Sequence, residues 1–290
     1  MIYTIQNSYV SAAIAAQGAE LQSLINKNTG IEYMWGADPA FWAKTSPVLF
    51  PVVGGLKNDQ YTYNGHTYTL GRHGFARYRE FTVTAQQKDS VTFTLMADDN
   101  TLQHYPFYFS FSVTYTLRQN TLHVTYTVNN TGDTILLFSV GGHPAFKVPV
   151  TGGTEFIDYY LHFNHIEGIG RWPLSATGQV EKHTEPVLEN NDILPLTKQL
   201  FYKDALVFKH LKSDAITLKS NKTPHGLTVT FKGFPYMGIW SFKDADFICI
   251  EPWCGIADSV DATGNLSEKE GINSLPPGQL FERTWSIEVF

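Results

Sequence analysis

Alternation of apolar residues with serine or threonine is the dominant pattern of this chain. In the segment FSFSVTYTL, residues 109–117, every second residue is apolar and every residue between is Ser or Thr. Successive side chains of a β-strand point to opposite faces, so this segment has one apolar and one polar face. The same alternation recurs in SVTFTLMA (90–97), TLHVTYTVNN (121–130), GLTVTFKG (226–233) and RTWSIEVF (283–290). These segments predict half-buried antiparallel strands.

Helical patterns are few and short. The segment DDNTLQHY, residues 98–105, predicts one helix that Asp98 or Asp99 caps and that ends before Pro106. The segment ADPAFWAK, residues 37–44, predicts a further turn. No repeat, low-complexity stretch or linker divides the chain. We therefore predict an all-β protein, a large antiparallel β-sandwich with few short helices, as a single domain over residues 1–290. One outer face of such a sandwich is free to be concave, polar and aromatic for a ligand.

Composition narrows the functional class. The net charge is −6, whereas a nucleic-acid-binding protein usually carries a basic stripe, so we expect no nucleic-acid partner. The first ten residues lack the basic and apolar regions of a signal peptide, and no apolar run is long enough to span a membrane. The two cysteines, Cys249 and Cys254, make no disulfide framework. We expect a cytoplasmic protein without a membrane partner.

Several kinds of site are absent from the sequence. Gly54 and Gly55 have neither the spacing of a phosphate-binding loop nor a helix after them, so they predict a turn. His162 and His165 are three residues apart on a predicted strand, where they face opposite sides, and we predict no metal site. No G-x-S-x-G motif anchors a hydrolase triad. We expect no cofactor.

Three segments carry candidate chemistry. FSVGGHPAF ends an apolar strand in two glycines followed by His143, and the glycines allow the backbone to approach a ligand closely. DFICIEPWCG places Glu251 at the end of an apolar strand, on the same face as Phe247 and Cys249. GRHGFAR, residues 71–77, places two arginines and a histidine between two predicted strands. Each segment also has a structural interpretation: a hydrogen-bonded loop histidine, an edge ion pair and a cationic surface turn.

Together these segments suggest proton transfer. A histidine and a glutamate suffice as an acid and a base, because a protein environment can tune the pKa of either side chain towards neutral pH. No metal, nucleophile or cofactor loop competes with this interpretation.

The order of the motifs identifies a family. SPVLFPVVGGLKNDQY, GRHGFAR, YPFYFSF, GGHPAF, DALVF and CIEPW follow one another between residues 46 and 253. This ordered set resembles the aldose 1-epimerase (galactose mutarotase-like) family, and it is most similar to the bacterial LacX-type branch. The resemblance implies the galactose mutarotase-like supersandwich, with a small-molecule sugar bound across one concave face. It also implies that the protein interconverts the α and β anomers of an aldose.

The resemblance assigns roles by position. His143 of GGHPAF matches the general acid that protonates the ring oxygen, and Glu251 of CIEPW matches the general base that deprotonates the anomeric hydroxyl. His73 of GRHGFAR matches a histidine that hydrogen-bonds the sugar. Asp204 of DALVF matches an acidic residue that binds sugar hydroxyls. Gly74 is expected to leave room for the sugar.

One position departs from the family pattern. Galactose mutarotases carry an arginine where this chain has Gly55, so Arg72 or Lys57 is expected to supply the positive charge. The HGFAR form also resembles relatives that act on hexose 6-phosphates, in which Arg72, Arg77 and Lys57 would hold the phosphate. We favour an ion pair at the strand end for Arg77, and a core position for Phe75.

Two alternatives to a hexose mutarotase remain open at this point. One is a hexose-6-phosphate mutarotase, and the other, of a different class, is a non-catalytic carbohydrate-binding or sensor protein on the same fold. The sequence leaves the oligomeric state undefined.

Overall fold

Antiparallel strands dominate the computed structural model of the protein, which describes residues 1–290. In chain order the strands are β1 (Ile2–Gln6), β2 (Val10–Ala15), β3 (Glu20–Asn26), β4 (Val48–Leu49), β5 (Gln60–Tyr63), β6 (His66–Thr69), β7 (Thr82–Gln86), β8 (Ser90–Met96), β9 (Phe109–Arg118), β10 (Thr121–Asn130), β11 (Leu136–Phe138), β12 (Val140–Gly142), β13 (Ala145–Lys147), β14 (Tyr159–Arg171), β15 (Glu185–Pro195), β16 (Leu206–Lys209), β17 (Ala215–Ser220), β18 (Leu227–Thr230), β19 (Tyr236–Trp240), β20 (Phe247–Cys254), β21 (Asn273–Leu275) and β22 (Leu280–Val289).

The predicted alternating segments form most of a nine-stranded sheet. Its order is β15-β14-β17-β18-β22-β10-β9-β8-β7, and all of its neighbours are antiparallel. In β9 every apolar residue is buried, and the Ser and Thr residues between them are half-buried. The strand prediction for this segment is therefore confirmed.

A six-stranded sheet packs against the first one. Its order is β16-β19-β20-β12-β4, with β13 also paired to β20. Beside β4, Phe50 stacks on Phe111 of the nine-stranded sheet with ring centroids 4.4 Å apart. At the other end, Phe208 of β16 meets Phe163 of β14 edge-to-face. The protein is a large antiparallel β-sandwich, as the sequence predicts. A three-stranded sheet, β1-β2-β3, and two two-stranded sheets, the hairpin β5-β6 and the long-range pair β11-β21, complete the strand pairing.

Helices are few. The single α-helix, α1 (Asp99–His104), begins at the cap Asp98, whose carboxylate accepts the backbone N–H of Thr101 at 2.7 Å. It ends before Pro106, as predicted. Short 3₁₀ turns lie at Lys57–Asp59, Ala76–Tyr78, Phe156–Asp158, Lys198–Phe201 and Leu266–Glu268. No helix has the length and apolar character needed to cross a bilayer.

Strand β20 is the element that positions the candidate chemistry. The sequence predicts that it ends at Glu251, but the strand continues three residues further, to Cys254. It lies between β19 and β12, and all eight of its residues are buried. Ile248 and Ile250 face the main core, while Glu251 and Trp253 face a cavity on the other side of the sheet.

Candidate active site

A cavity of about 480 Å³ opens on the outer face of the six-stranded sheet. This volume is within the roughly 300–1,000 Å³ range of small-molecule sites. Aromatic walls and a few convergent polar groups line it, and these include all five residues that the sequence predicts: Arg72, His73, His143, Asp204 and Glu251. The loops after β6 and β12, the segment before β16 and strand β20 thus bring the predicted residues together.

His143 directly follows β12. Its backbone N–H donates to the carbonyl of Pro47 at 3.1 Å, which fixes the start of the loop. The two preceding glycines do not serve the ligand as predicted. A Cβ on Gly142 would lie 2.8 Å from the Tyr126 hydroxyl, and one on Gly141 would lie 2.7 Å from the Trp253 ring. Glycine is needed here because β12 packs closely against its neighbours.

His143 and Glu251 lie side by side at the base of the cavity. Nε2 of His143 is 3.3 Å from Oε2 of Glu251, and the two side chains are 10% and 2% exposed. Burial disfavours charge on both groups. It raises the pKa of the Glu251 carboxyl well above its usual value, and nearby Asp204 adds to this effect. Burial also lowers the pKa of His143 to about 3, with a further contribution from the positive charge of Arg77.

His73 is held by a reciprocal backbone contact. Its N–H donates to the carbonyl of Gly54 at 2.9 Å, and its Nδ1 accepts the N–H of Gly54 at 3.0 Å. Because Nδ1 is an acceptor, the neutral ring carries its proton on Nε2. Burial lowers the pKa of His73 well below its usual value, and the neighbouring His143 lowers it further. His73 is therefore a fixed neutral donor.

Gly74 serves the fold rather than the ligand, in contrast to the prediction. Its φ is +70°, and a Cβ there would lie 2.4 Å from the carbonyl oxygen of Phe50. The residue faces the core strand, not the cavity. Phe75 packs against the main core as predicted, edge-to-face with Phe50.

Asp204 precedes β16 with a φ of +79°. One of its carboxylate oxygens accepts the backbone N–H of Ala205 at 2.7 Å, which fixes the side chain at the cavity wall.

The three predicted cations have different positions. Arg72 lines the cavity, and its Nε lies 3.9 Å from the point that a Cβ on Gly55 would occupy. Lys57 does not line the cavity, because its Nζ donates to the carbonyl of Val260 at 3.2 Å. The expected ion pair of Arg77 is absent: this residue has no acidic partner, its Nε is buried without a hydrogen bond, and it lines the cavity. The ion pair predicted for Arg77 is therefore wrong, and of the two alternatives Arg72 and Lys57 only Arg72 lines the cavity.

Two tryptophans that were not predicted from the sequence form the aromatic walls of the cavity. Trp42 packs on His143 with centroids 4.9 Å apart, and Trp240 meets the same ring edge-on at 5.6 Å. The two indoles contact each other at 5.4 Å. Trp42 lies in the segment predicted only as a turn, and Trp240 ends β19. The sequence signal that could have indicated this wall is Trp240, a tryptophan at the end of a strand. Lys243, just beyond β19, also lines the cavity and was not predicted.

An antiparallel sandwich whose concave cavity holds a buried His143–Glu251 pair, with two tryptophans against the histidine, is typical of carbohydrate-active β-sandwich proteins. Residues 1–270 match the aldose 1-epimerase family, and the chain belongs to that family. It is therefore an isomerase of the mutarotase type with a sugar substrate.

Full-length relatives agree with this assignment. The chain is 33% identical to the chromosomal protein LacX of Lactococcus lactis subsp. lactis, over all of this chain and 99% of that one. A galactose mutarotase related enzyme from Lactobacillus acidophilus superposes with a TM-score of 0.94 at 39% identity, over 100% and 97% of the two chains. A galactose mutarotase-like protein from Lactobacillus casei has a TM-score of 0.92 at 34% identity, over the whole of both chains.

Proposed function

We propose that this protein is an aldose 1-epimerase that interconverts the α and β anomers of a hexose. Glu251 acts as the general base and His143 as the general acid. The observation that carries the proposal is the 3.3 Å separation of Oε2 of Glu251 and Nε2 of His143 at the base of a tryptophan-lined cavity.

This separation fits the chemistry of the anomeric carbon. The anomeric hydroxyl and the ring oxygen are both bonded to C1, so the acid and the base that serve them must lie side by side. Glu251 takes the proton of the anomeric hydroxyl as the C1 carbonyl forms, and the bond from C1 to the ring oxygen breaks. In the reactive form the exchangeable proton of the pair is on His143, which gives it to the ring oxygen, whereas burial favours the uncharged form of both groups before the sugar binds. Rotation about C1–C2 and closure by the reverse steps give the other anomer.

The other cavity residues bind and orient the sugar. His73 donates its Nε2 proton to a sugar oxygen, since its Nδ1 already accepts the backbone N–H of Gly54. Asp204 accepts sugar hydroxyls. Trp42 and Trp240 give apolar surfaces for the C–H faces of the ring.

The test is the rate of anomer exchange measured by polarimetry on fresh α-glucose and α-galactose. We expect catalysis of at least one aldose well above the rate in buffer. A protein that accelerates no aldose and no aldose phosphate contradicts the proposal, and sugar binding in calorimetry without anomer exchange would identify a non-catalytic binding protein.

The second candidate is a hexose-6-phosphate mutarotase. Three cations, Arg72, Arg77 and Lys243, line the cavity, and none of them has a carboxylate partner within salt-bridge distance. Such unpaired cations suit a phosphate. The comparison of rates on glucose and glucose 6-phosphate decides between the two substrates. Lys57→Ala is the matched control, because Lys57 lies outside the cavity.

A further inference from the structure

Three different metal-ligating side chains converge at the base of the cavity. A ring nitrogen of His143, the Sγ of Cys249 and a carboxylate oxygen of Glu251 all lie within 4.8 Å of one another. Cys249 and Glu251 come from one face of β20, two residues apart, and His143 comes from the loop after β12. The group is not evident in the sequence, because His143 is more than 100 positions away from Cys249 and Glu251.

The carboxylate of this group has a free lone pair. Glu251 is only 1% exposed, and its Oε2 is buried without a hydrogen bond. The indole N–H of Trp253 is directed at this carboxyl and opposes the rise of its pKa, but it is also buried without a hydrogen-bond partner. Buried polar atoms are almost always paired, so an unpaired buried oxygen calls for a ligand. The 3.3 Å contact between this oxygen and Nε2 of His143 is not a hydrogen bond. Both atoms are therefore free to bind a third group.

The separation matches tetrahedral coordination. Zinc binds histidine nitrogen and carboxylate oxygen at about 2.0–2.2 Å, which places two such ligands about 3.3–3.5 Å apart in a tetrahedron. The observed separation of 3.3 Å between Nε2 of His143 and Oε2 of Glu251 falls in this range. The sulfur must be about 3.6 Å from the other two ligands. The three ligand atoms now lie up to 4.8 Å apart. The sulfur must therefore move about one ångström closer to the other two ligands when the cation binds.

We propose that His143, Cys249 and Glu251 bind a thiophilic divalent cation such as Zn²⁺, Co²⁺ or Cd²⁺, and that this cation inhibits the enzyme. The thiol distinguishes this site from a sugar subsite, because sugar hydroxyls gain little from a sulfur, whereas soft cations select it. The fourth coordination position faces the cavity, where a water completes the tetrahedron. Cys249 itself does not line the cavity, so the cation enters past His143 and Glu251.

Inhibition follows because the cation occupies the lone pairs that the reaction needs. The predicted inhibition rests on the proposed function, since it requires His143 and Glu251 to be the acid and the base. Cation binding does not rest on it. Sugar and cation compete for the base of the cavity, and EDTA restores the inhibited enzyme.

The test is a Co²⁺ titration of the full-length protein followed by ultraviolet absorption. We expect a thiolate-to-cobalt charge-transfer band that saturates at one equivalent and that a saturating active sugar abolishes. Cys249→Ser and Cys249→Ala should lose the band. Cys254→Ser is the matched control, because Cys254 is the other buried cysteine and its thiol faces the carbonyl of Gly233 instead. This control should keep the band.

A second measurement is the Zn²⁺ concentration that halves anomer exchange, taken relative to each variant's own uninhibited rate. Cys249→Ser should raise this concentration at least ~10-fold, since even outer-shell partners of a metal are worth 10–100-fold in affinity. Absence of the band in the wild type, or a band that persists in both Cys249 variants, overturns the cation site. A band in a protein without anomer exchange overturns the proposed function and leaves the cation site standing.

Discussion

The guanidinium of Arg72 lies over Gly55. Its Nε is 3.9 Å from the point that a Cβ on Gly55 would occupy, and its terminal nitrogen is 2.1 Å from the equivalent point on Gly178. An arginine side chain from the loop after β6 thus fills the space beside two glycines. We therefore expect Arg72 to supply the charge that the family pattern places at position 55.

Arg72→Ala should raise the KM for the preferred sugar about 10–100-fold with little change in kcat, because a hydrogen bond to a charged group contributes about 1.5–3 kcal/mol. The double variant Arg72→Gly with Gly55→Arg should recover part of the loss. Steady-state polarimetry measures both constants. Wild-type KM in Arg72→Ala would show that Arg72 contacts only water.

Trp240 is expected to bind the apolar face of the sugar. Trp240→Ala should weaken sugar binding about 10-fold, since a buried aromatic surface contributes on the order of 1–2 kcal/mol. Titration of the intrinsic tryptophan fluorescence with sugar reports the affinity. Trp172→Ala is the control, because Trp172 lies outside the cavity beneath Lys209. Equal affinities in the two variants would exclude the stacking role.

Gly74 is required by the backbone. Gly74→Ala should lower the free energy of unfolding by about 2–5 kcal/mol, since it adds a left-handed penalty and an overlap with the Phe50 carbonyl. Gly71→Ala, where a Cβ would meet nothing within 4 Å, should change it by less than about 0.5 kcal/mol. Urea denaturation of both variants provides the comparison, and a stable Gly74→Ala would contradict the tight packing of this loop.

A buried ion pair stabilises the segment that follows β20. Nζ of Lys269 donates to Oδ1 of Asp258 at 2.8 Å, and the other Asp258 oxygen accepts the N–H of Lys57 at 2.9 Å. Lys269→Met leaves a buried carboxylate without its cation, so the free energy of unfolding should fall by about 3–5 kcal/mol.

The exposed pair of Lys182 and Asp261 provides the contrast for this prediction. Lys182→Met should change stability by less than about 1 kcal/mol, because exposed pairs contribute little. Equal losses in the two lysine variants, measured by urea denaturation, would contradict a special role for the buried pair.

The fold was largely predictable because the pattern that specifies each strand lies within a short segment of the sequence. Alternation with period two in β8, β9 and β10 directly specifies which face is buried. Strand β20 was harder, because both of its faces are buried and it continues through Pro252, so neither alternation nor a proline marked its end.

Only the site residues that lie in a recognisable motif could be predicted from the sequence. His143 and Glu251 stand in recognisable segments, but the positions of Arg77 and Lys57 depend on which loops meet across the sandwich. The roles of Gly74, Gly141 and Gly142 were misread for the same reason: the atoms that crowd them belong to strands that are distant in the sequence. Trp42 and Trp240 approach each other only after the sheet has formed.

Glu251 is the proposed base of the anomer-exchange reaction. Saturation-transfer NMR between the α and β anomers of the preferred sugar, with wild type and Glu251→Gln at equal concentrations, tests this role most directly. Glu251→Gln should reduce the exchange rate about 10²–10⁴-fold while calorimetry still detects sugar binding. Glu282→Gln, an exposed carboxylate change on β22, should keep the wild-type rate. Full exchange activity in Glu251→Gln would contradict the account.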